Sequence, residues 1–497
     1  MENFKNKKKF KWRIPTAFTI LISITLLLIL ISWIPGTTSD WTDTDGTIQK
    51  GGPAGLFDLF IAPINGLKNK IDVVIYILII GGFLGVVVSS KALDAGIGRL
   101  VKKMKGRELL IIPIVMILFS IGGTVFGMCE ETIALYPVLI PVLLAAGFDV
   151  ITTILAILFG AGIGVVCSTI NPFVIQIAVD NANVSGLKTS TGIILRIISW
   201  LVLTSSGIAF VMWYAIKVKN DPKKSPVYED KDIHEKLFAI SQDIPKFTKK
   251  RKAILAIFSV TFIIMIFSLI AWNQFGLSVF ETFTKWVSQK SPYIARFYNP
   301  IGSWNFLETS ALFLLSSIVI GFIEWKGEED FVESFIKGSS DILSVCLVIA
   351  FAGGIGFIME HTGMQKVLVN SLSSPMRGIG KYGFIVLAFL FFLLISVFIP
   401  STSGFATAVF PVLGPIANSI TIGLTSGTIT AFSFANGIIN VISPTSATLM
   451  AVLSLSKVSY GKFIKASWPL ICSLIFISII ILLIGVSLPL SNESPWF

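Results

Sequence analysis

Charged residues are scarce in this chain: Asp, Glu, Lys and Arg make up 13% of its 497 residues, whereas hydrophobic residues make up 54%. A soluble protein usually carries about 25% charged residues. The composition therefore excludes an ordinary soluble fold and indicates a protein with many spans in a lipid bilayer. The net charge of +11 does not call for a nucleic acid partner, because membrane proteins gather their cations on cytoplasmic loops.

Cysteine and histidine are also rare, with four and two residues. The cysteines lie in apolar segments without metal-ligand spacing: Cys129, Cys167, Cys346 and Cys472. We expect no cofactor and no catalytic residue. The chain has no His-Glu-x-x-His motif, and Ser401-Thr402-Ser403-Gly404 lacks the first glycine of a Gly-x-Ser-Gly elbow. An intramembrane protease, which would need His361 in a Ser-His dyad, is a remote alternative, as is a channel.

Long apolar runs predict nine membrane spans and two hairpins that return to the side they entered from. The predicted spans are 14–34, 71–90, 150–181, 192–216, 253–273, 305–325, 340–360, 422–455 and 466–488, and the hairpins are 109–146 and 383–420. The first run resembles a signal peptide but lacks a small-residue cleavage pattern, so it is interpreted as an uncleaved span.

The distribution of Lys and Arg predicts the orientation of these spans. The five segments that share one side hold 28 of the 39 Lys and Arg residues: 1–13, 91–108, 217–252, 326–339 and 456–465. Short loops rich in Lys and Arg stay in the cytoplasm. We therefore expect a multi-pass protein of the cell membrane with a cytoplasmic N-terminus and an external C-terminus.

Three short patterns recur in the same order and at a nearly constant separation, which indicates an internal repeat. The proline pattern Pro137 to Pro141 recurs as Pro411 to Pro415, Gly81-Gly82 recurs as Gly353-Gly354, and Ile170-Asn171-Pro172 recurs as Ile442-Ser443-Pro444. The members of each of the last two pairs are 272 residues apart, and we call this separation the repeat offset. The predicted division is a first repeat at 1–216, a polar, mobile cytoplasmic linker with a connecting span at 217–273, and a second repeat at 305–488.

Each repeat then holds two spans, a hairpin, a span broken at a proline and a closing span. Because the additional span 253–273 separates the repeats, the second repeat is inverted relative to the first. Inverted repeats with broken helices are the layout of secondary transporters. The predicted fold is thus an all-α polytopic membrane protein with two inverted repeats, re-entrant hairpins and broken helices.

Two adjacent glutamates, Glu130 and Glu131, stand within the long apolar stretch 109–144. Each ionised carboxylate near a bilayer centre costs about 3 kcal/mol on insertion scales. The pair therefore implies a cationic partner, a shared proton or a wet cavity. The alternative is that the glutamates are protonated, or cap backbone N–H groups, and touch no substrate.

The helix breaks and the hairpin tips supply further polar groups. The candidate site residues are Glu130, Glu131, Thr132, Ser168, Thr169, Asn171, Ser401, Thr402, Ser403, Asn436, Asn440, Ser443 and Thr445. Oxygen atoms of Asn171, Asn440 and Ser446 are candidates for a small-cation site, and the coupling ion would be Na⁺ or H⁺. The alternative is a set of proline-kinked spans whose hydroxyls bond back to their own helix.

At these motifs the chain resembles a known family. Gly127-Met128-Cys129-Glu130-Glu131-Thr132, the repeated Pro-Val-Leu-x-Pro and Ser168-Thr169-Ile170-Asn171-Pro172 are similar to the YfcC/DcuC-like family of the ion transporter superfamily. The resemblance implies a scaffold domain, an elevator-type transport domain, a homodimer, and amino acids or dicarboxylates as substrates.

The glutamate pair favours one branch of that family. Two acids at a hairpin tip suit the ammonium or guanidinium group of a basic amino acid such as arginine, ornithine or lysine, while the helix N-terminus near Ser401 to Ser403 could hold its carboxylate. A C4-dicarboxylate carrier is the alternative. It would need cations, and Arg196, expected to snorkel outward, is the one basic residue inside a predicted span core.

Overall fold

The computed structural model describes residues 17–42, 48–93, 107–238, 245–269, 279–290, 299–373, 378–399 and 401–492, together with residues 95, 96, 99, 272, 376, 494, 496 and 497. This part of the chain is helical apart from a ribbon of two short antiparallel strands, Trp41–Thr42 and Ile48–Gln49. Seven of the described helices are long and apolar enough to cross a membrane. The predicted helical membrane architecture is thereby confirmed.

The first half of the chain contains helices of very different lengths. They are α1 (Ala17–Ser32), α2 (Asp58–Asn69), α3 (Ile71–Ser89), α4 (Ile111–Phe126), α5 (Tyr136–Ala145), α6 (Val150–Val166), α7 (172–181), α8 (Ile193–Asn220), α9 (Lys231–Phe238), α10 (Lys249–Leu269) and α11 (Val279–Lys290). A 3₁₀ turn at Glu130–Leu135 joins α4 to α5.

The second half of the chain contains the remaining helices. Its helices are α12 (Phe306–Ile323), α13 (Glu328–His361), α14 (Met364–Ser373), α15 (Lys381–Ser396), α16 (Thr402–Ile420), α17 (Leu424–Asn440), α18 (Ala447–Leu455) and α19 (Tyr460–Ser487). The pair α15 and α16 corresponds to the predicted hairpin 383–420. The chain between α17 and α18 is broken at 441–446, within the predicted broken span.

Helix α2 is absent from the sequence prediction. Its twelve residues include Pro63, Asn65 and Gly66, which weaken the apolar signal of a span. Helix α3, Ile71–Ser89, agrees with the predicted span 71–90 and is long and apolar enough to cross a membrane, and α2 directly precedes it. Helix α13 starts at Glu328 instead of 340, because acidic residues in a first helical turn are stabilised by the helix dipole.

The helices pack into two groups. In group 1, α13 lies along α2 and α3, α12 packs on α3, α10 packs on α12, and α1 packs on α13. In group 2, α4 packs on α6, α15 packs on α17, and α17 also contacts α6 and α19. The groups meet where α18 contacts α13 and where the turn at Glu130–Leu135 contacts α3.

Each group has an aromatic core of its own. In group 1 the buried rings of Phe83 and Phe313 lie 5.1 Å apart, edge to face. In group 2 the ring of Phe432 lies 5.4 Å from those of Phe392 and Phe405. Edge-to-face pairs of this kind add about 0.5–1.5 kcal/mol each beyond the burial of apolar surface. The two groups are therefore separately stabilised.

The prediction of a mobile linker at 217–252 is wrong for its first part. Helix α8 continues to Asn220, and 3₁₀ turns and α9 follow up to Phe238. Asp149, at the start of α6, accepts hydrogen bonds from the Tyr214 hydroxyl at 2.9 Å and the Ser225 hydroxyl at 2.6 Å. The ammonium of Lys462 on α19 pairs with Asp230 at 2.7 Å. These contacts fasten the linker to group 2; residues 239–244 lie outside the described residues.

His234 on α9 completes this attachment. Its side chain is buried, and it forms a hydrogen bond with the backbone of Lys457. Burial lowers the pKa of His234 below its usual range, while the Lys457 backbone and the carboxylates of Asp230 and Asp149 act in the opposite direction. A neutral imidazole therefore suits the docked linker.

Candidate functional site

A cavity of about 1250 Å³ lies between the two helix groups. Group 2 lines it with the turn after α4, the break between α6 and α7, the start of α16 and the break between α17 and α18. Group 1 lines it with the junction of α2 and α3 and with the C-terminal part of α13. We call this space the glutamate cavity because Glu130 and Glu131 both line it.

Backbone geometry presents the glutamate pair to the cavity. Helix α4 ends at Gly127, whose φ of +87° is a left-handed conformation that glycine adopts without strain. The chain then turns into the 3₁₀ segment that begins at Glu130. One carboxylate oxygen of the buried Glu131 accepts the N–H of Cys129 at 3.1 Å. The alternative role of the pair was to cap backbone N–H groups. One oxygen of Glu131 does so.

The break between α6 and α7 is held by side chains that bond to the freed backbone. Asn171 accepts the N–H of Phe173 at 2.9 Å and donates to the Ser168 hydroxyl at 3.0 Å. Thr169 donates its N–H to the carbonyl of Thr124 at 2.9 Å. The break is therefore tied to α4, the helix that precedes the turn with the glutamates.

A chain of hydrogen bonds connects the second hairpin to the second break. The Thr402 hydroxyl donates to Asn436 Oδ1 at 2.7 Å, and Asn440 Nδ2 donates to the same oxygen at 3.0 Å and to Thr402 Oγ1 at 3.1 Å. Thr445 donates to the carbonyl of Val397 at 2.8 Å. These bonds place uncharged oxygens and amides in the same cavity as the glutamates.

The predicted site residues fall into two sets. One set lines the glutamate cavity and consists of Glu130, Glu131, Asn171, Ser401, Thr402, Ser403, Asn440 and Thr445. The other set lies behind this lining and supports it: Thr132, Ser168, Thr169, Asn436 and Ser443. The second set bonds to the backbone or to members of the first set, so its members shape the site without facing the cavity.

The candidate small-cation residues Asn171, Asn440 and Ser446 all line the glutamate cavity. Asn171 and Ser446 each accept a backbone N–H at a helix start, from Phe173 at 2.9 Å and from Leu449 at 3.3 Å. Their remaining oxygen lone pairs are the ones that a cation could use. Among the described residues, no group of three or more His, Cys, Asp or Glu could hold a metal ion.

Sequence reasoning missed the contribution of group 1 to this cavity. Asn69, Lys70 and Asp72 line it at the junction of α2 and α3, and Glu360 lines it near the end of α13. The sequence does contain a signal for this contribution. The repeat offset that relates Gly81 to Gly353 also relates 56–89 to 328–361, which is the whole of α13. Extending the repeat comparison across this range predicts a long, interrupted helix there.

Arg196 does not supply a cation to the glutamate cavity. The side chain is about 1% exposed, so it does not snorkel outward as expected. Its guanidinium donates to the carbonyl of Thr189 near the start of α8. Arg196 is not part of the lining of the glutamate cavity, and it therefore says nothing about the substrate.

A second cavity of about 900 Å³ also lies between group 1 and group 2. It is lined by α3, by Pro137 and Pro141 of α5, by the start of α13, and by Leu237 and Phe238 of the docked linker. We call it the linker cavity.

Comparison with known proteins identifies the family. The model of the family described as DcuC, C4-dicarboxylate anaerobic carrier, matches residues 44–487. The chain belongs to this family. Together with the apolar helices, this membership makes it a multi-pass membrane transporter and supports a small-molecule substrate.

Two relatives match most of the chain. An uncharacterized protein of Haemophilus influenzae is 28% identical over 97% of this chain and 99% of its own length. A protein of Escherichia coli K12 named "Putative basic amino acid antiporter YfcC" is 28% identical over 86% of this chain and 80% of its own length.

Among solved structures, the chain is similar to the YdaH transporter of Alcanivorax borkumensis, with a TM-score of 0.43 and 14% identity over 95% of this chain and 98% of that one. It is also similar to MtrF of Neisseria gonorrhoeae, with a TM-score of 0.39 and 15% identity over 97% of both chains.

Proposed function

We propose that this transporter exchanges or takes up basic amino acids of the arginine, ornithine and lysine type. The observation that carries the proposal is the position of Glu130 and Glu131, which line the same cavity as the uncharged groups of Thr402 and Asn440. A carboxylate pair attracts an ammonium or guanidinium group and repels a dianion. The name of the Escherichia coli relative is in agreement with this substrate class.

We propose an elevator mechanism in which group 2 moves along group 1. Support comes from the linings of the two cavities. Adding the repeat offset to the number of a residue in the lining of one cavity gives, at several positions, a residue in the lining of the other. The linker cavity is lined by Gly81, Leu84, Gly85 and Val88, and the glutamate cavity is lined by their counterparts Gly353, Gly356, Phe357 and Glu360. Such an exchange is expected of inverted repeats with one access route on each side of the membrane.

Close helix packing repeats with the same offset. A Cβ added to Gly81 would lie 2.7 Å from the carbonyl oxygen of Gly338, and one added to Gly353 would lie 2.8 Å from that of Gly66. The repeat offset relates Gly66 to Gly338 and Gly81 to Gly353. The contact of Gly81 with Gly338 therefore corresponds to the contact of Gly353 with Gly66. These contacts support a two-fold relation between α2–α3 and α13, and with it the inverted repeats.

A C4-dicarboxylate is the second candidate substrate. The family description favours it, and so does Lys70, a cation in the lining of the glutamate cavity. The glutamate pair weighs against it, because no cation among the described lining residues forms an ion pair with Glu130 or Glu131. We rank it below the basic amino acids for that reason.

Counterflow in proteoliposomes tests the substrate class. Glu131→Gln keeps a carbonyl oxygen for the Cys129 N–H but removes the charge, and a lost charged hydrogen bond is worth about 1.5–3 kcal/mol, or roughly 10- to 150-fold in affinity. We expect arginine and ornithine exchange to fall by this factor in Glu131→Gln, and to fall in Glu130→Gln too. Glu229→Gln, an exposed carboxylate on the linker, is the matched control.

The opposite outcome is equally clear. If both glutamine variants leave arginine and ornithine exchange intact, or if succinate and fumarate exchange while arginine does not, the basic amino acid proposal is wrong. The dicarboxylate then takes its place.

We also propose coupling to Na⁺ or H⁺ and assembly as a homodimer. The oxygens of Asn171, Asn440 and Ser446 in the cavity lining support a coupling cation. Exposed apolar side chains of α10 and α12, such as Ile263 and Leu315, offer a surface for a second copy. Transport measured with and without a Na⁺ gradient, at constant pH, separates the two ions.

A further inference from the structure

Lys70 occupies an unusual place in the membrane part of the fold. It is the single residue between α2, which ends at Asn69, and α3, which begins at Ile71. Its backbone N–H still donates to the carbonyl of Gly66 at 3.1 Å, so the helix is bent there but not interrupted by a loop. Helix α2 has 12 residues and is therefore about 18 Å long. Lys70 therefore stands at the end of α2 and directly before α3, which is long and apolar enough to cross a membrane.

Within the described part of the chain, the Lys70 ammonium forms no ion pair. The side chain is half-buried and lines the glutamate cavity. None of the four ion pairs among the described residues involves Lys70, although Asp72 lines the same cavity. A lysine that faces a cavity beside a membrane span, without an ion-pair partner, is free to bind an anionic group there.

The position of Lys70 relative to the glutamates also matters. Helix α3, which starts beside Lys70, contacts the 3₁₀ turn that carries Glu130 and Glu131. Cation and acids therefore face the same space from opposite helix groups. A free basic amino acid carries a cationic side chain and an α-carboxylate, and this cavity offers a charge of the opposite sign for each.

The linker cavity lacks such a cation at the equivalent place. The repeat offset relates Lys70 to Ile342, which lines the linker cavity. The two cavities therefore differ in charge at positions that the repeat relates. A carboxylate contact through Lys70 is possible on one side of the membrane and has no counterpart at the related position on the other.

We propose that Lys70 binds the α-carboxylate of the substrate while the substrate occupies the glutamate cavity. This inference rests on the proposed function, because it assigns the second charge of the same substrate. Lys70 belongs to group 1 and the glutamates to group 2. The contact is therefore made in the conformation described here and is broken when group 2 moves.

Paired ligands with and without a carboxylate test this inference. Arginine and agmatine share the guanidinium group, but agmatine has no carboxylate. The segments 91–108 and 326–339, predicted to be cytoplasmic, adjoin the end of α3 and the start of α13, so we expect the glutamate cavity to open to the outside. In right-side-out vesicles, competition against labelled ornithine then gives the apparent affinity of each ligand for this cavity. We expect Lys70→Met to weaken arginine about 10- to 100-fold, the range for a lost charged hydrogen bond, and to leave agmatine within about 2-fold. Lys68→Met, an exposed lysine on the same helix, is the control.

A second variant covers the case in which Lys70→Met fails to fold. Lys70→Arg keeps the charge, and we expect it to prefer arginine over agmatine to the same degree as wild type. Equal weakening of arginine and agmatine in Lys70→Met, or no weakening of either, overturns the inference. So does loss of the arginine preference in Lys70→Arg with normal thermal stability.

These results are separable from failure of the proposed function. If Glu131→Gln weakens arginine but Lys70→Met does not, the substrate class stands and the role of Lys70 is wrong. If arginine proves not to be a substrate, the same Lys70 variants are measured with succinate. Weaker succinate binding in Lys70→Met then supports a carboxylate contact at Lys70, and unchanged binding rules it out.

Discussion

The hydroxyl of Thr402 donates to Asn436 Oδ1 at 2.7 Å and so joins the start of α16 to the end of α17. The two residues lie on the second hairpin and on the second broken helix. Asn436 in turn donates to the Ser396 hydroxyl at 3.2 Å, at the end of α15. One buried amide therefore holds both arms of this hairpin against the broken helix.

Replacing Thr402 tests whether this link positions the site. Thr402→Val keeps the shape but removes the donor to Asn436 Oδ1 and one acceptor of Asn440 Nδ2, and each lost hydrogen bond costs about 0.5–1.5 kcal/mol. We expect substrate exchange to fall at least tenfold while the melting temperature drops by a few degrees. Thr402→Ser keeps the hydroxyl and should restore exchange. A Thr402→Val protein with wild-type exchange would show that the hairpin tip is held by other contacts.

The orientation of the chain is tested by labelling single cysteines in a background without the four native ones. Lys223 lies in the linker and Lys290 at the end of α11, and both side chains are exposed. The charge distribution predicts that Lys223→Cys reacts only from the cytoplasm and Lys290→Cys only from outside. An impermeant maleimide added to intact cells and to inverted vesicles distinguishes the two sides. Labelling of both positions from one side would refute the inverted repeats.

Docking of the linker should depend on pH through His234. Its folded-state pKa lies below the ordinary value of 6.5 because of burial, so the docked state favours the neutral imidazole. The stabilisation is complete above about pH 6.5 and is lost progressively as the pH falls through the lowered pKa. Limited proteolysis of the segment 221–238 should therefore be faster at pH 5 than at pH 7.5. His234→Gln, which cannot gain a proton, should lose most of this dependence.

A wild-type linker with the same cleavage rate at both pH values would contradict this account. His361 serves as an internal comparison, because its side chain is exposed on α13 outside the linker. His361→Gln is expected to keep the full pH dependence.

Local patterns in the sequence were sufficient to predict most of the long apolar helices and the breaks between them. Apolar runs long enough to cross a bilayer specify helices, and prolines such as Pro172 and Pro444 interrupt them, because a residue without an N–H cannot continue the hydrogen-bond ladder. The glutamate pair was recognisable for a similar reason, since charge within an apolar run is costly whatever the fold.

The same patterns could not show which polar groups face the cavity. Thr132 and Asn436 bond to their surroundings behind the lining, whereas Asn171 and Thr402 reach the lining itself. The rotation of a helix about its own axis decides this, and contacts from segments distant in sequence set that rotation. In the same way, the attachment of the linker depends on Asp149 and Lys462, which lie far from it in the chain.

Composition and proline spacing thus determined by themselves that this chain is a helical membrane protein with broken helices, because each of these features acts within one segment. Tertiary structure decided that α2 joins α3 at Lys70 and that this lysine faces the same cavity as Glu130 and Glu131. The sequence around Lys70 is too short and too polar to stand out as a span. Packing of α2 and α3 along α13 stabilises the bent helix there and brings its cation to the acids of the other group.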